Sequence, residues 1–282
     1  MANSNGRIIC SASVRGREKR SLAKAGRAAR PVGGLRPLRP PASRKPHFFR
    51  YWFDSSKARI LDGNGRWAKK RLLPRIAGHS EGMKRVIEIV EYARTLNIPN
   101  LTLYAFSTEN WKRPKDEVGF LMNLLLEYIK SQLKKLLEND IKLIFIGDIE
   151  ILPDKIKKEA YLAMNQTEKN KGMNLNIAVN YGGRQEIING VKKLVKAIEN
   201  EKYDIDNLDE ISFYEFLYTK NSKDCDLVIR TGGEKRISNF LLYEIAYSEF
   251  YFTDKLWPDF READLYAALE DFQKRNRRFG GL

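Results

Sequence analysis

Long apolar runs, cysteine and histidine are all scarce in this chain, and each scarcity closes off a class of function. No stretch of the 282 residues approaches the ~18–20 consecutive apolar residues of a membrane span, so any meeting with a bilayer is expected to be peripheral. Cys10 and Cys225 are the two cysteines. They lie far apart without metal-ligand spacing, which argues against a disulfide framework and for a reducing compartment. The two histidines, His47 and His79, are too few for a His-built zinc site. Neither a Gly-x-x-x-x-Gly-Lys-Ser/Thr loop nor a Gly-x-Gly-x-x-Gly turn occurs, so nucleotide-dependent phosphoryl transfer and dinucleotide redox chemistry lose their main support.

What is present is a globular composition, 43% hydrophobic and 11% aromatic, with a formal charge of +15 that is unevenly spread. Residues 1–50 carry 13 Lys and Arg against the single acid Glu18, while the remainder carries 38 basic and 35 acidic residues. The body is therefore nearly neutral, and no nucleic-acid partner is expected of it. The N-terminal stretch, broken throughout by Pro and Gly, reads as a disordered basic arm over 1–50, followed by one domain over 51–282. An organelle transit peptide, a cloning remnant, a misread upstream region and a tether to anionic lipid fit the arm equally. The expected location is cytoplasmic, with peripheral membrane contact.

The body alternates helical and strand patterns: helices near 79–96, 116–138, 154–171 and 184–199, and strands at 101–106, 142–146, 175–179 and 226–229. This is the signature of an α/β fold, a mostly parallel central sheet flanked by helices on both faces. Ligands of such sheets gather at the carboxyl ends of strands. Polar clusters stand at those ends, at 107–111, 180–184 and 230–234.

Asp62-Gly63-Asn64-Gly65-Arg66-Trp67 is the most informative run. Taken alone it is a tight surface turn. Yet it combines glycines that let the backbone approach an anion, a guanidinium fork for phosphate oxygens and a carboxylate able to hold a divalent metal.

Five segments in order carry a family resemblance: DGNGRWA at 62–68, PRIAGH at 74–79, YAFSTENWKRP at 104–114, DLVIRTGGEKRISNFLLY at 226–243 and AYSEFYFTDKLWPDF at 246–260. The chain resembles the cis-prenyltransferases of the undecaprenyl diphosphate synthase type over roughly 60–282. The resemblance implies condensation of isopentenyl diphosphate onto an allylic diphosphate, farnesyl diphosphate above all, with Z geometry and Mg2+. The product would be a polyprenyl diphosphate lipid carrier such as undecaprenyl diphosphate for cell-wall glycan synthesis.

It further implies that Asp62 serves Mg2+ and departure of the allylic diphosphate, which Gly63, Asn64, Gly65, Arg66, Arg75 and His79 bind. Ser107, Thr108, Glu109, Asn110, Trp111 and Arg113 border both substrates. The family assigns Asn110 as proton acceptor, though a neutral carboxamide suits positioning better than base chemistry. Arg230, Arg236, Ile237 and Ser238 match the isopentenyl diphosphate site, and Glu249 matches a second metal-associated carboxylate. Trp67 and Trp111, read alone, are core residues; the resemblance turns their apolar faces to the isoprenoid. Arg278-Phe279-Gly280 matches a terminal element that reaches a neighbouring subunit's site, hence a homodimer. Part of the stripe on the helix after Glu117 would line a tunnel for the growing chain.

One segment departs from the pattern. The family's first strand is apolar, whereas Phe53-Asp54-Ser55-Ser56-Lys57-Ala58-Arg59 is polar and charged. Either the strand is short and frayed with Lys57 and Arg59 snorkelling to solvent, or it does not form and Asp62 is poorly held. Two rival functions are a non-catalytic partner subunit and a module binding nucleic acid or acidic membranes through residues 1–50. Retention of Asp62, Arg75, Arg113, Arg230 and Arg236 argues against the first.

Overall fold

The computed structural model describes residues 56–276 apart from 221 and 223. The expected disordered arm, residues 53–55 and the terminal Arg278-Phe279-Gly280 lie outside the described residues.

Six strands form one all-parallel sheet: β1 (Ser56–Ile60), β2 (Asn100–Ser107), β3 (Ile141–Ile146), β4 (Met173–Tyr181), β5 (Cys225–Arg230) and β6 (Glu249–Phe252), in the order β3-β4-β2-β1-β5-β6. Helices α1 (Asn64–Lys70), α2 (Arg75–Thr95), α3 (Lys115–Glu138), α4 (Asp154–Thr167), α5 (Gly183–Glu199) and α6 (Glu262–Lys274) connect or cover them. Pro74, Pro114 and Pro153 stand immediately before α2, α3 and α4, where a missing N–H costs nothing and a fixed φ favours helix entry. Acidic residues in the first turns of α3 and α4 add dipole stabilisation.

The alternation of side chains along the strands divides the core in two. Leu101, Leu103, Leu227 and Ile229 join residues of α2, α3, α4 and α6 in the larger apolar cluster. Ala58, Ile60, Tyr104 and Val228 join Tyr181, Phe240 and Leu241 in a smaller one on the opposite face. The start of α5 sits on that second side, where Glu186 accepts hydrogen bonds from Tyr181 and from the Tyr218 backbone.

Two expectations change. The Asp62–Trp67 run is not a surface turn: Gly63, at φ 112°, ends the strand connection and α1 starts at Asn64. A Cβ on Gly63 would meet Leu256 at 2.9 Å, so the left-handed backbone and the close approach both require glycine there. The charged strand also forms, and in the middle of the sheet, but its cations do not snorkel. Lys57 and Arg59 lie opposite Leu101 and Leu103 on one side and Leu227 and Ile229 on the other, inside the larger cluster, 2% and 1% exposed. The Lys57 ammonium sits 4.1 Å from the Phe272 ring centre and the Arg59 guanidinium 5.5 Å from that of Phe260. The three guanidinium nitrogens of Arg59 make no hydrogen bond. Pairing β1 with strands on both sides fixes its register, and that register aims alternate residues into the core whatever their charge.

The short edge strand β6 and helix α6 go beyond the sequence expectations. The spacing of Leu265, Ala268, Leu269 and Phe272 is an ordinary amphipathic stripe.

Candidate active site

Crossing connections leave β1 toward β2 on one side and β5 toward β6 on the other, so a topological switch point lies between β1 and β5. Asp62 follows β1, and Arg230 ends β5. Their side chains meet across this point, Arg230 Nη2 donating to Asp62 Oδ2 at 3.0 Å. The other carboxylate oxygen lies 3.1 Å from Arg66 Nη2, one turn into α1. The Asp62 backbone is equally fixed: its carbonyl accepts from the Thr231 hydroxyl at 2.8 Å and from the Trp257 N–H at 3.0 Å.

Two basic clusters flank this carboxylate. In the first, Glu117 in the opening turn of α3 gathers two guanidiniums and an imidazole: Arg113 Nη1 at 2.9 Å, Arg75 Nε at 3.3 Å and His79 Nε2 at 3.3 Å. Glu117 is buried, and His79 Nε2 satisfies no hydrogen bond. Burial pushes the His79 pKa down, and Arg113 and Arg75 add to that effect against the opposing pull of Glu117. Arg75 packs over Gly65, where a Cβ would come 3.0 Å from its Nε.

In the second cluster, buried Arg230 donates to the Arg236 carbonyl and, at 2.9 Å, to Ser238 Oγ. Arg66 donates to the Gly232 carbonyl at 2.7 Å, and the Arg236 guanidinium pairs with Glu234 at 2.6 Å. The Gly232-Gly233 turn has positive φ at both residues, and its amides donate to the Lys255 and Thr253 carbonyls at 2.7 and 2.9 Å, so they brace the turn and anion binding falls to the side chains around it.

Asp62 borders a cavity of about 580 Å3 whose lining joins polar residues (Asn64, His79, Asn110, Arg113, Ser238) to apolar ones (Met83, Val86, Leu121, Leu124, Leu125, Tyr128). The α3 stripe supplies the last four. A second, outer cavity of about 580 Å3 joins Asp62 to Arg66, Arg75, His79 and Arg113. An anionic head and a greasy tail can thus be held at once.

Ser107, Glu109 and Asn110 line the inner cavity. Asn110 Oδ1 accepts from the Ser107 N–H at 3.2 Å, closing a capping box. Glu109 accepts from Asn239 at 3.1 Å; desolvation alone would raise its pKa, but hydrogen bonds to its carboxylate hold it below the usual range.

Other expected site residues stand apart from both cavities. Thr108 sits in the same short helix, and Ile237 packs on the smaller apolar cluster. The Trp67 indole donates to Asp259 at 2.8 Å beneath Arg71, and that of Trp111 donates to Asn180 at 2.8 Å while meeting Phe106 edge-on. Glu249 opposes Leu227, three residues short of Arg230, and pairs with Arg275 at 2.7 Å. One chain does not bring it to Asp62. Glu117 is the residue sequence reasoning passed over; an acid four positions after Arg113 at a helix start was the available signal.

The sequence profile of the family described as "Putative undecaprenyl diphosphate synthase" matches residues 60–280. The isoprenyl transferase of Bacillus subtilis (strain 168) is 51% identical over 223 residues, 79% of this chain and 86% of that one. The chain belongs to the undecaprenyl diphosphate synthase family. A second member, the ditrans,polycis-undecaprenyl-diphosphate synthase ((2E,6E)-farnesyl-diphosphate specific) of Micrococcus luteus, is 48% identical over 79% of this chain and 90% of its own. The family's fold is also that of lavandulyl diphosphate synthase from Lavandula x intermedia, solved with dimethylallyl diphosphate: TM-score 0.79 and 38% identity, covering 82% of this chain and 99% of that one. Among the described residues, no helix is long and apolar enough to cross a membrane.

Proposed function

We propose that residues 51–282 form a catalytic domain that condenses isopentenyl diphosphate onto farnesyl diphosphate, repeatedly and with Z geometry, to make an undecaprenyl-type diphosphate lipid carrier. The observation that carries this reading is the Asp62–Arg230 pair, one carboxylate standing between two basic clusters and lining a cavity that also has a wall of apolar side chains. Arg75, His79 and Arg113 suit the allylic diphosphate; Arg230, Arg236 and Ser238 suit the second one. Preformed donors on both sides stabilise charge as it grows on the leaving oxygen, with little reorganisation. The allylic carbon–oxygen bond breaks with its electron pair going to the diphosphate, the double bond of isopentenyl diphosphate attacks the cationic carbon, and one proton leaves. Asn110, held by Ser107, positions the second substrate, and the departing diphosphate is the stronger acceptor for that proton.

Asp62 is a fitting ligand for Mg2+. It is a single, partly exposed carboxylate facing both cavities, and this ion is usually held by one or two carboxylates plus substrate phosphates. Mg2+ there would supply charge neutralisation on the diphosphate oxygens.

A homodimer is part of the same reading. Ile188, Val191 and Val195 form an exposed apolar stripe along α5, a face suited to a second copy. Sedimentation of the pure protein at twice 32.7 kDa is expected, and a lone monomer would count against it. Product, once long, would leave through peripheral contact with a bilayer.

The direct test is incubation with farnesyl diphosphate, labelled isopentenyl diphosphate and Mg2+, with and without EDTA, and sizing of the product. A long Z-polyprenyl diphosphate that disappears with EDTA is expected; absence of any elongation would refute the reading.

A further inference from the structure

We infer that residues 69–76, from the end of α1 to the start of α2, dock the protein on an anionic lipid surface beside the mouth of its site. The inference rests on the isoprenoid diphosphate reading, which makes the long-chain product an amphiphile whose head lies at a bilayer surface. Every residue from Lys69 to Ile76 is exposed. The run Lys-Lys-Arg-Leu-Leu-Pro-Arg-Ile holds four cations, three aliphatic side chains and no acid. Leu72 is 96% exposed, and Leu73 and Ile76 also stand in solvent. Single exposed apolar side chains need no explanation. Three within five residues, interleaved with cations, have the composition of an interfacial binding element.

The segment is ordered for this purpose. The Leu72 and Leu73 amides donate to the Lys69 and Ala68 carbonyls at 3.2 and 3.0 Å, and Leu72 takes a left-handed φ of 56° that closes the turn. Arg71 is occupied by Trp67 and Asp259. Lys69 and Lys70 enter no ion pair among the described residues, which leaves two ammonium groups for headgroup phosphates while the leucines reach below them. Lys69, Leu72, Leu73 and Arg75 also line the outer cavity. A bilayer met by this loop therefore lies against the opening through which a lipid diphosphate passes. The charge complementarity selects an anionic bilayer as the occupant rather than a second copy of this chain, whose matching surface would have to be acidic.

The test uses the full chain in co-sedimentation with vesicles of equal phosphatidylglycerol and phosphatidylcholine, and of phosphatidylcholine alone, at physiological salt. Binding to the anionic vesicles should exceed binding to the neutral ones by about tenfold or more, and Leu72→Ser and Lys70→Glu should each weaken it about tenfold. Thermal melting of both variants confirms that they fold. No binding to anionic vesicles overturns the proposal. So does binding that survives both substitutions, which would assign it to the basic residues of 1–50. Condensation by the parent in detergent is measured alongside: turnover without vesicle binding rejects docking alone, and no turnover rejects the isoprenoid reading and docking with it.

Discussion

At the residue scale, the site is organised around two carboxylates with different tasks. Asp62 is open to both cavities and pairs with Arg66 and Arg230, groups that also suit a diphosphate. Glu117 is buried and keeps Arg75, His79 and Arg113 gathered when no anion is bound. The separation of the basic groups into two clusters predicts separable kinetics. Arg75→Ala should raise the KM for the allylic diphosphate by about 10–100-fold, the loss of a charge-assisted hydrogen bond, with little change for isopentenyl diphosphate. Arg236→Ala should do the reverse. Initial rates with each substrate varied in turn decide this, and equal effects on both KM values from either variant would mean that the clusters do not divide the substrates.

At the scale of elements, β1 is both the delivery strand for Asp62 and the least comfortable part of the core. Burial pushes the Arg59 guanidinium down to about 9, still charged at neutral pH, with one aromatic ring nearby and no hydrogen-bond acceptor. Replacing an uncompensated buried charge by an apolar side chain removes that cost. Arg59→Met should stabilise the protein by roughly 2–4 kcal/mol in denaturant unfolding; an unchanged or lower midpoint would contradict the buried placement.

Helix α5 carries a second buried liability. Burial, then the neighbouring Glu244, raises the Glu186 carboxyl to about 8, and the two share a pocket closed by Tyr181 and Thr219. An acid with a raised pKa holds its proton in the folded state after the unfolded chain has lost it. Stability should therefore fall as pH rises from the ordinary carboxylate range, near 4.5, to about 8, and level off above that. Glu186→Gln should flatten this slope and gain ~1–3 kcal/mol at pH 8, read from unfolding at pH 5 and pH 8. A parent whose stability does not fall over that window would contradict the buried acid pair.

At the scale of the whole molecule, what was legible in the sequence follows from what is periodic or chemically local. The mostly apolar runs at 101–106, 142–146, 175–179 and 226–229 became β2 to β5, because a strand buried on both faces is favoured when most of its side chains are apolar. Of the polar clusters after them, 107–111 and 230–234 supply Ser107, Glu109, Asn110 and Arg230 to the inner cavity for the same topological reason, whereas 180–184 lines neither cavity. Strand β6 is only four residues long and half-buried, too little pattern to read. Lys57 and Arg59 contradict the strand they occupy, so only pairing with β2 and β5 reveals their fate. The meeting of Glu117 with Arg75 and His79 depends on how α2 packs against α3, which no local spacing encodes. The nearly neutral body and the basic stretch of residues 1–50 likewise divide the molecule by sequence alone.

The central claim is that Asp62 governs departure of the allylic diphosphate. Turnover of purified Asp62→Ala, with its melting curve matched to that of the parent, measures this most directly, using labelled isopentenyl diphosphate at saturating substrates and Mg2+. The account predicts a fall of about a hundredfold or more in kcat, the usual cost of losing one preorganised charge-stabilising group. A variant that elongates farnesyl diphosphate at a rate comparable to the parent would contradict it.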